Sequence, residues 1–308
     1  MSGLRIAVVG ATGVVGETIV RVLGERDLPI ERLQLFAARG RDGVQAASEE
    51  ALLSHDVVFF AGSEDASERY APALLNDGAI VIDNSSTFRM RDGTPLVVPE
   101  INADAVHEGN RLFPIANCTA IILCMALAPI KSTAGLARVC VATYQAVSGA
   151  GRTALEEFDS GEGPIIGNVI PQIGPMGEKR SSEEEEKVRQ ETRKILDLPN
   201  LPIAVTAVRV PVRTTHCEAV FFETARETPL AVLAAAFDKA AGVVYHENEI
   251  VTPRQVEGTD EVHVSRLRQE DARLFQMWVA GDQLRKGAAT NGVQILELLL
   301  ERGALLRR

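Results

Sequence analysis

Cys118 stands between Asn117 and Thr119 in "FPIANCTAIILCMALAPI", at the mouth of an otherwise apolar run that reads as a helix. Cysteine is among the most buried residue types and often behaves as a small hydrophobe. Cys124, inside the run, fits that description, and Cys118 fits it less well. With Asn117 or Thr119 capping the helix, backbone N–H groups and the positive end of the dipole favour thiolate over thiol at its sulfur. That reading makes Cys118 a nucleophile, and a nucleophile needs a proton carrier and a group that orients what it attacks. His216, in "RVPVRTTHCEAV", precedes a strongly apolar strand. A lone histidine is more often structural than catalytic, but a thiol that needs an acid/base partner changes the balance. Gln145, in "TYQAVSGAG", closes a strand just before a glycine-rich turn and is the polar group best placed to face a substrate.

These residues must be held by elements that the sequence also announces. "LRIAVVGATGVVGETIVRVLGER" from Leu4 is a continuous apolar strand, then Gly10, Gly13 and Gly16, then helical periodicity. A strand buried on both faces, a glycine turn and a helix form the first unit of a doubly wound, Rossmann-type sheet, with backbone able to approach a pyrophosphate at the helix N-terminus. The next strand, "LQLFAA", ends where a cofactor's adenosine ribose would sit. NAD sites place an acid there, whereas here "ARGR" follows, and Arg39 and Arg41 suit the 2′-phosphate of NADP. "DVVFFAG" and "GAIVIDNSS" continue the alternation, leaving Ser85, Ser86 and Arg89 at the carboxyl end of a strand, where ligands gather in this architecture.

After Ala134 the pattern changes to longer β-type runs with fewer helices, which predicts an α+β domain rich in antiparallel strands. The expected division is a dinucleotide-binding domain over 1–130 and a catalytic and dimerisation domain over 131–283. A C-terminal helix, about 284–308, would return to pack on the first. The charge run "EKRSSEEEEKVRQETRKIL" reads as an amphipathic helix with a solvated face.

The chain has 308 residues and a formal charge of −10, so a general nucleic-acid or anionic-membrane binder, which needs a basic face, is excluded. No apolar stretch reaches the roughly eighteen residues of a membrane span. Four cysteines, at 118, 124, 140 and 217, show neither C-x-x-C pairs nor disulfide-scaffold spacing, and no metal site is expected. A reducing cytoplasm and small-molecule or self-association partners are the natural expectation.

Taken together, "GATGVVG", "DNSSTFRM", "PLVVPEIN", "ANCTA", "TYQAVSGAG", "NVIPQIG", "RVPVRTTHCEAV" and "GDQLRKGAATNGVQI" resemble the aspartate-semialdehyde dehydrogenase family in order and spacing, over nearly the whole chain. The resemblance implies reversible, NADP-dependent reductive dephosphorylation of L-aspartyl-4-phosphate to L-aspartate-4-semialdehyde through a cysteine thioester, in lysine, threonine and methionine biosynthesis. It implies Cys118 as nucleophile, His216 as acid/base and Gln145 as the group orienting the acyl carbon. Arg89 and Lys187 resemble phosphate ligands, Arg209 the clamp on the substrate carboxylate and Glu184 the holder of its amino group, in a four-glutamate run that leaves the register open by a position. Asn117 belongs to the same substrate and phosphate set. Gly10, Thr12, Gly13, Val14, Val15, Gly16, Arg39, Ser148, Gly149 and Gln283 resemble NADP contacts. The implied partners are a small-molecule substrate, inorganic phosphate and further copies of the chain, as a homodimer or homotetramer. Two segments, after "FAARGRDG" and between "RTALEEF" and "NVIPQIG", are shorter than the family pattern. Two alternatives stay open: an N-acetyl-γ-glutamyl-phosphate reductase-like enzyme, and a shortened, noncatalytic homologue.

Overall fold

The computed structural model describes residues 3–40, 43–62, 64–107 and 109–304, so Arg41 lies outside the described residues. The chain forms two compact units, one of residues 1–116 with 288–308 and one of residues 117–287. The expected boundary at 130/131 falls inside a helix that belongs wholly to the second unit. Periodicity marks that helix as buried, but it does not say on which sheet it packs.

In the first unit, β1 (Leu4–Val9) leads through the glycine turn into α1 (Val14–Glu25), followed by β2 (Ile30–Ala37), β3 (Gln45–Ala46), α2 (Glu49–Leu52), β4 (Val57–Phe60), α3 (Glu64–Asn76), β5 (Ile80–Asp83), α4 (Pro99–Asn102) and β6 (Leu112–Pro114). The six strands make one sheet in the order β3-β2-β1-β4-β5-β6, every pair parallel, as a doubly wound nucleotide fold requires. Ile6–Val9, Val57–Phe60 and Ile80–Asp83 are wholly buried, which is why these strands read as continuous apolar runs.

The second unit starts with α5 (Cys118–Ala134) and continues through β7 (Leu136–Gln145), α6 (Arg152–Ser160), α7 (Glu183–Ile195), β8 (Ile203–Arg209), β9 (Thr215–Thr224), α8 (Leu230–Phe237), β10 (Val243–His246), α9 (Pro253–Val256), β11 (Val262–Gln269) and β12 (Leu274–Asp282). Its sheet runs β10-β11-β12-β9-β7-β8, with the three central pairings antiparallel and the two outer ones parallel. The α5 helix covers one face. Gly281 on β12 makes that approach possible, because a Cβ there would lie 2.9 Å from Ile122. The chain then returns to the first unit as α10 (Thr290–Glu301), which packs on α1 and α4.

The glycine turn has a specific steric cause. Gly10 has φ +83°, a left-handed backbone, and a Cβ on Gly16 would come 2.2 Å from the Gly10 carbonyl oxygen. α1 starts at Gly13 without a side-chain cap. Backbone packed this closely, with helix N–H groups at its start, fits a dinucleotide pyrophosphate. Gly16→Ala is therefore expected to force β1 and α1 apart, costing about 1–3 kcal/mol and weakening dinucleotide binding. Thermal melting and cofactor titration check this; unchanged values in both would show that the turn accommodates a methyl group.

Candidate active site

Four of the predicted site residues, Cys118, His216, Gln145 and Glu184, meet around Asn117 at the start of α5. Asn117 is its N-cap, its side-chain oxygen accepting the N–H groups of Thr119 at 3.0 Å and Ala120 at 3.1 Å. Cys118, the first helical residue, is half-buried, and its Sγ lies 3.3 Å from His216 Nε2. Gly287 backs the thiol: a Cβ there would approach the Cys118 Cβ to 2.9 Å.

His216 is fully buried on β9, on the sheet face turned toward α5. Its Nδ1 is 3.0 Å from the Ala146 backbone nitrogen. An amide N–H can only donate, so Nδ1 accepts and the neutral ring carries its proton on Nε2, pointing at the sulfur. A second proton on Nδ1 would oppose the Ala146 N–H. Burial, reinforced by the Arg209 charge, holds the imidazole well below the ordinary histidine range, so it is neutral at pH 7. The arrangement is a thiol facing a single, fixed N–H donor.

Gln145 ends β7 on the same face. Its side-chain oxygen accepts the Thr143 hydroxyl at 3.0 Å, and its amide donates to Glu184 Oε1 at 2.9 Å. Asn117 Nδ2 donates to the same oxygen, also at 2.9 Å. The four-glutamate run is thereby sorted. Ser182 and Glu185 form a capping box that sets the phase of α7, and Glu185 also receives the Ala207 N–H. Glu183 pairs with Lys187 and Glu186 with Arg189, which leaves Glu184 as the one of the four that reaches Asn117 and Gln145. Lys187 is on the same helix, its Nζ 2.5 Å from Glu183.

Arg209, at the end of β8, is held by backbone on both sides, paired with Gln145 across the sheet and with Ile170 across an isolated bridge. Its Nη1 donates to the Ala146 carbonyl at 2.6 Å. Burial pulls the guanidinium below its usual value, while Cys118 and Glu184 act in the opposite sense. Gly149 makes room for it: a Cβ there would meet Nη1 at 2.8 Å. Ser148 and Gln283 are joined by a 2.7 Å hydrogen bond.

The remaining predicted residues belong to the first unit: the Gly10–Gly16 turn, the exposed Arg39 and the half-buried Arg89. β2 ends in Ala37, followed by Ala38 and Arg39, so no carboxylate stands at the strand end. Arg89 Nη2 donates to the Asn84 carbonyl at 3.0 Å. The Arg89 loop is shaped by Asp83, which accepts the Ser85 N–H and hydroxyl and the Ser67 hydroxyl. Ser85 is thus committed to structure. Asp282 does the same after β12, receiving the N–H groups of Leu284, Arg285 and Gly258.

The family models for a semialdehyde dehydrogenase NAD-binding domain and a semialdehyde dehydrogenase dimerisation domain match residues 5–109 and 127–286. The aspartate-semialdehyde dehydrogenase of Aquifex aeolicus is 38% identical, the alignment covering 98% of this chain and all of that protein; that of Bacillus subtilis is 36% identical, with 96% and 97% covered. The chain belongs to the aspartate-semialdehyde dehydrogenase family. A crystal structure of aspartate semialdehyde dehydrogenase II from Vibrio cholerae complexed with ASA superposes with a TM-score of 0.92 at 34% identity, covering 98% of this chain and 99% of that one. The family is one of oxidoreductases built on a nicotinamide-binding domain. Its membership favours the semialdehyde reading over the N-acetyl-γ-glutamyl-phosphate alternative. The Aquifex alignment runs over 341 positions, more than this chain's 308 residues, as the shortened segments require. One of those segments turns tightly through Gly161, Gly163 and Gly167, all at positive φ. Among the described residues, no helix is long and apolar enough to cross a membrane and no group of three or more ligating side chains could hold a metal.

Two buried carboxyl groups of this site carry no signal in the sequence. Glu191 sits in the charge run, and Glu218 two residues beyond His216 on the same face of β9. Neither oxygen of Glu218 has a hydrogen-bond partner among the described residues, and burial pushes the carboxyl well above its ordinary range. Folded, it keeps its proton to higher pH than in water; unfolded, it ionises above about pH 4.3. The stability it contributes is complete below that value and is lost as pH rises through the folded one. Glu218→Gln cannot ionise, so its denaturation midpoint is expected to fall less than the parent's between about pH 5 and pH 8. Equal pH slopes would mean that Glu218 is ionised in the folded protein.

Proposed function

We propose that this chain catalyses the NADP-dependent interconversion of L-aspartate-4-semialdehyde and L-aspartyl-4-phosphate through a thioester on Cys118. The observation that carries this reading is the 3.3 Å approach of His216 Nε2 to the Cys118 Sγ at the capped start of α5.

In the oxidative direction Cys118, its thiol proton released to water, adds as the thiolate to the aldehyde carbon, and negative charge moves to the aldehyde oxygen. The His216 Nε2–H, which faces the sulfur before attack, donates to that oxygen as charge develops. Because Ala146 fixes Nδ1 as acceptor, the donor costs no reorientation at that moment. Gln145, locked between Thr143 and Glu184, orients the acyl group. A nicotinamide cofactor, when bound, takes up the hydride that leaves the carbon and so leaves a thioester on Cys118. A phosphate oxygen then attacks the thioester carbon, the C–S bond breaks, the thiolate returns to Cys118 and the phosphate's proton goes to water.

Arg209 takes the substrate carboxylate, for which a bidentate fork is suited, and Glu184 its amino group. Arg89 and Lys187 hold phosphate, with Lys187 exchanging its Glu183 partner for the ligand. Gly10, Thr12 to Gly16 and Arg39 are assigned to the cofactor, as are Ser148, Gly149 and Gln283. Ala38 and Arg39, rather than an acid, directly follow the end of β2, which supports NADP over NAD. The face of the second sheet away from α5 presents Cys140, Tyr144, Phe221 and Trp278, with Tyr144 and Phe221 exposed. A second copy covering this face would give a homodimer, and four free cysteines suit a reducing cytoplasm.

Two outcomes test the reading. Phosphate-dependent reduction of NADP is expected with aspartate semialdehyde and not with N-acetyl-glutamate semialdehyde, and mass spectrometry without phosphate should find the acyl group on Cys118. Cys118→Ala should abolish turnover while NADP binding persists. Turnover in that variant, or label on Cys124, Cys140 or Cys217, would overturn the mechanism; Cys217 is a poor candidate, burial raising its thiol to about 12. For cofactor choice, Arg39→Glu should weaken NADP by about tenfold or more while changing NAD little. Equal affinity of the unaltered protein for both cofactors would remove the preference.

A further inference from the structure

Asn117 has every polar group committed. Its carbonyl receives the Ile121 N–H at 2.9 Å, its side-chain oxygen caps α5, and its side-chain amide donates to Glu184. The remaining group, its backbone N–H, donates to Glu191 Oε2 at 2.5 Å. Glu191 is buried on α7, seven residues and so two turns beyond Glu184, on the same face of that helix. Two carboxyl groups of α7 therefore grip the residue that caps α5, from its main chain and from its side chain.

We propose that Glu191 is a positioning residue for catalysis: by accepting the Asn117 N–H it fixes the peptide plane that leads into α5 and so aims the Cys118 sulfur at His216. The reasoning is geometric. A cap side chain controls only the helix N–H groups that follow it, and the direction in which the chain enters the first turn is set by the preceding peptide. Without an acceptor for the Asn117 N–H, that peptide can rotate, and the Asn117 side chain and Cys118 rotate with it. A misplacement of about 1 Å at a reacting atom can cost about a hundredfold in rate. The contact of Glu191 that leads to the site is the one with the Asn117 N–H. Its effect on chemistry passes through Asn117.

This inference rests on the proposed function for its kinetic readout only; alkylation of Cys118 tests it independently. Glu191→Gln keeps an acceptor oxygen at the same reach, Glu191→Asp withdraws it by one methylene, and Glu191→Ala removes it. Glu191→Asp and Glu191→Ala should lose about tenfold or more in kcat, with the semialdehyde KM changed by less than about threefold. Iodoacetamide should alkylate their Cys118 about fivefold more slowly at pH 7, and Glu191→Gln should stay within about threefold of the parent in both measurements. A folded Glu191→Asp with parental kcat and alkylation would overturn the proposal. So would Glu191→Gln impaired as severely as Glu191→Ala, or both Asp and Ala variants failing to fold, which would make Glu191 a stability residue. If the unaltered protein shows no dehydrogenase activity the proposed function fails, and the alkylation rates of the four proteins still decide what Glu191 does.

Discussion

The polar contacts of Asn117 are the constraint on which the second unit's chemistry depends. A helix N-terminus leaves backbone donors without partners, and burying them uncompensated costs about 1–3 kcal/mol each. Asn117 answers the Thr119 and Ala120 donors with one side-chain oxygen. Its remaining donors tie α5 to Glu184 and Glu191 of α7. Glu184 is in turn tied to Gln145 on β7. Cys118 is thus the first residue of a helix whose entry is locked to another helix and to a strand, and the thiol inherits that rigidity.

The sheet supplies the other half of the geometry. Antiparallel pairing sets Gly281 opposite His216 and Val279 opposite Glu218, so the residue that lets α5 approach lies beside the histidine that faces it. The period of two along β7 and β9 puts Thr143, Gln145, His216 and Glu218 on that one face. The opposite face keeps Cys140, Tyr144 and Phe221. One register therefore serves two ends, a polar set under α5 and an apolar set on the opposite face. A slip of one residue would exchange them.

Much of this was legible in the chain. Apolar strands meeting glycine turns announce the first unit, because parallel strands are buried on both sides and the turn tolerates no Cβ at Gly16. That Cys118 opens a helix while Cys124 lies inside it was legible, and Asn117 rather than Thr119 proves to be the cap. What was hidden depends on tertiary partners. Glu191 looks like one more solvated charge in an acidic helix, and only the packing of α7 on α5 turns it inward. Glu218 follows His216 in an apolar strand, yet nothing in the pattern says that its carboxyl lacks a partner. Ser85 read as a ligand-facing residue because it follows a strand, whereas its hydroxyl is held by Asp83. The boundary read at 130/131 cut α5, since an apolar run carries no record of the sheet that buries it.

The cost of such a site is visible in its ionisable groups. Arg209 and His216 are both pulled down by burial and Glu218 is pushed up, so burial disfavours the charged form of each. Interiors that bury charged and polar groups gain little stability from them, and an apolar replacement is often as stable or more so. What the arrangement supplies is an electrostatic environment already in place. With His216 neutral and its Nδ1 committed to Ala146, its single proton has one direction to point, at Nε2 toward the sulfur. Dipoles that need not reorient as charge develops act most strongly where water is absent. Burial and function are therefore coupled through the same contacts. Loosening the polar set to relieve the cost of His216 or Arg209 would admit water and free the histidine ring, and the fixed N–H donor facing Cys118 would be lost with it.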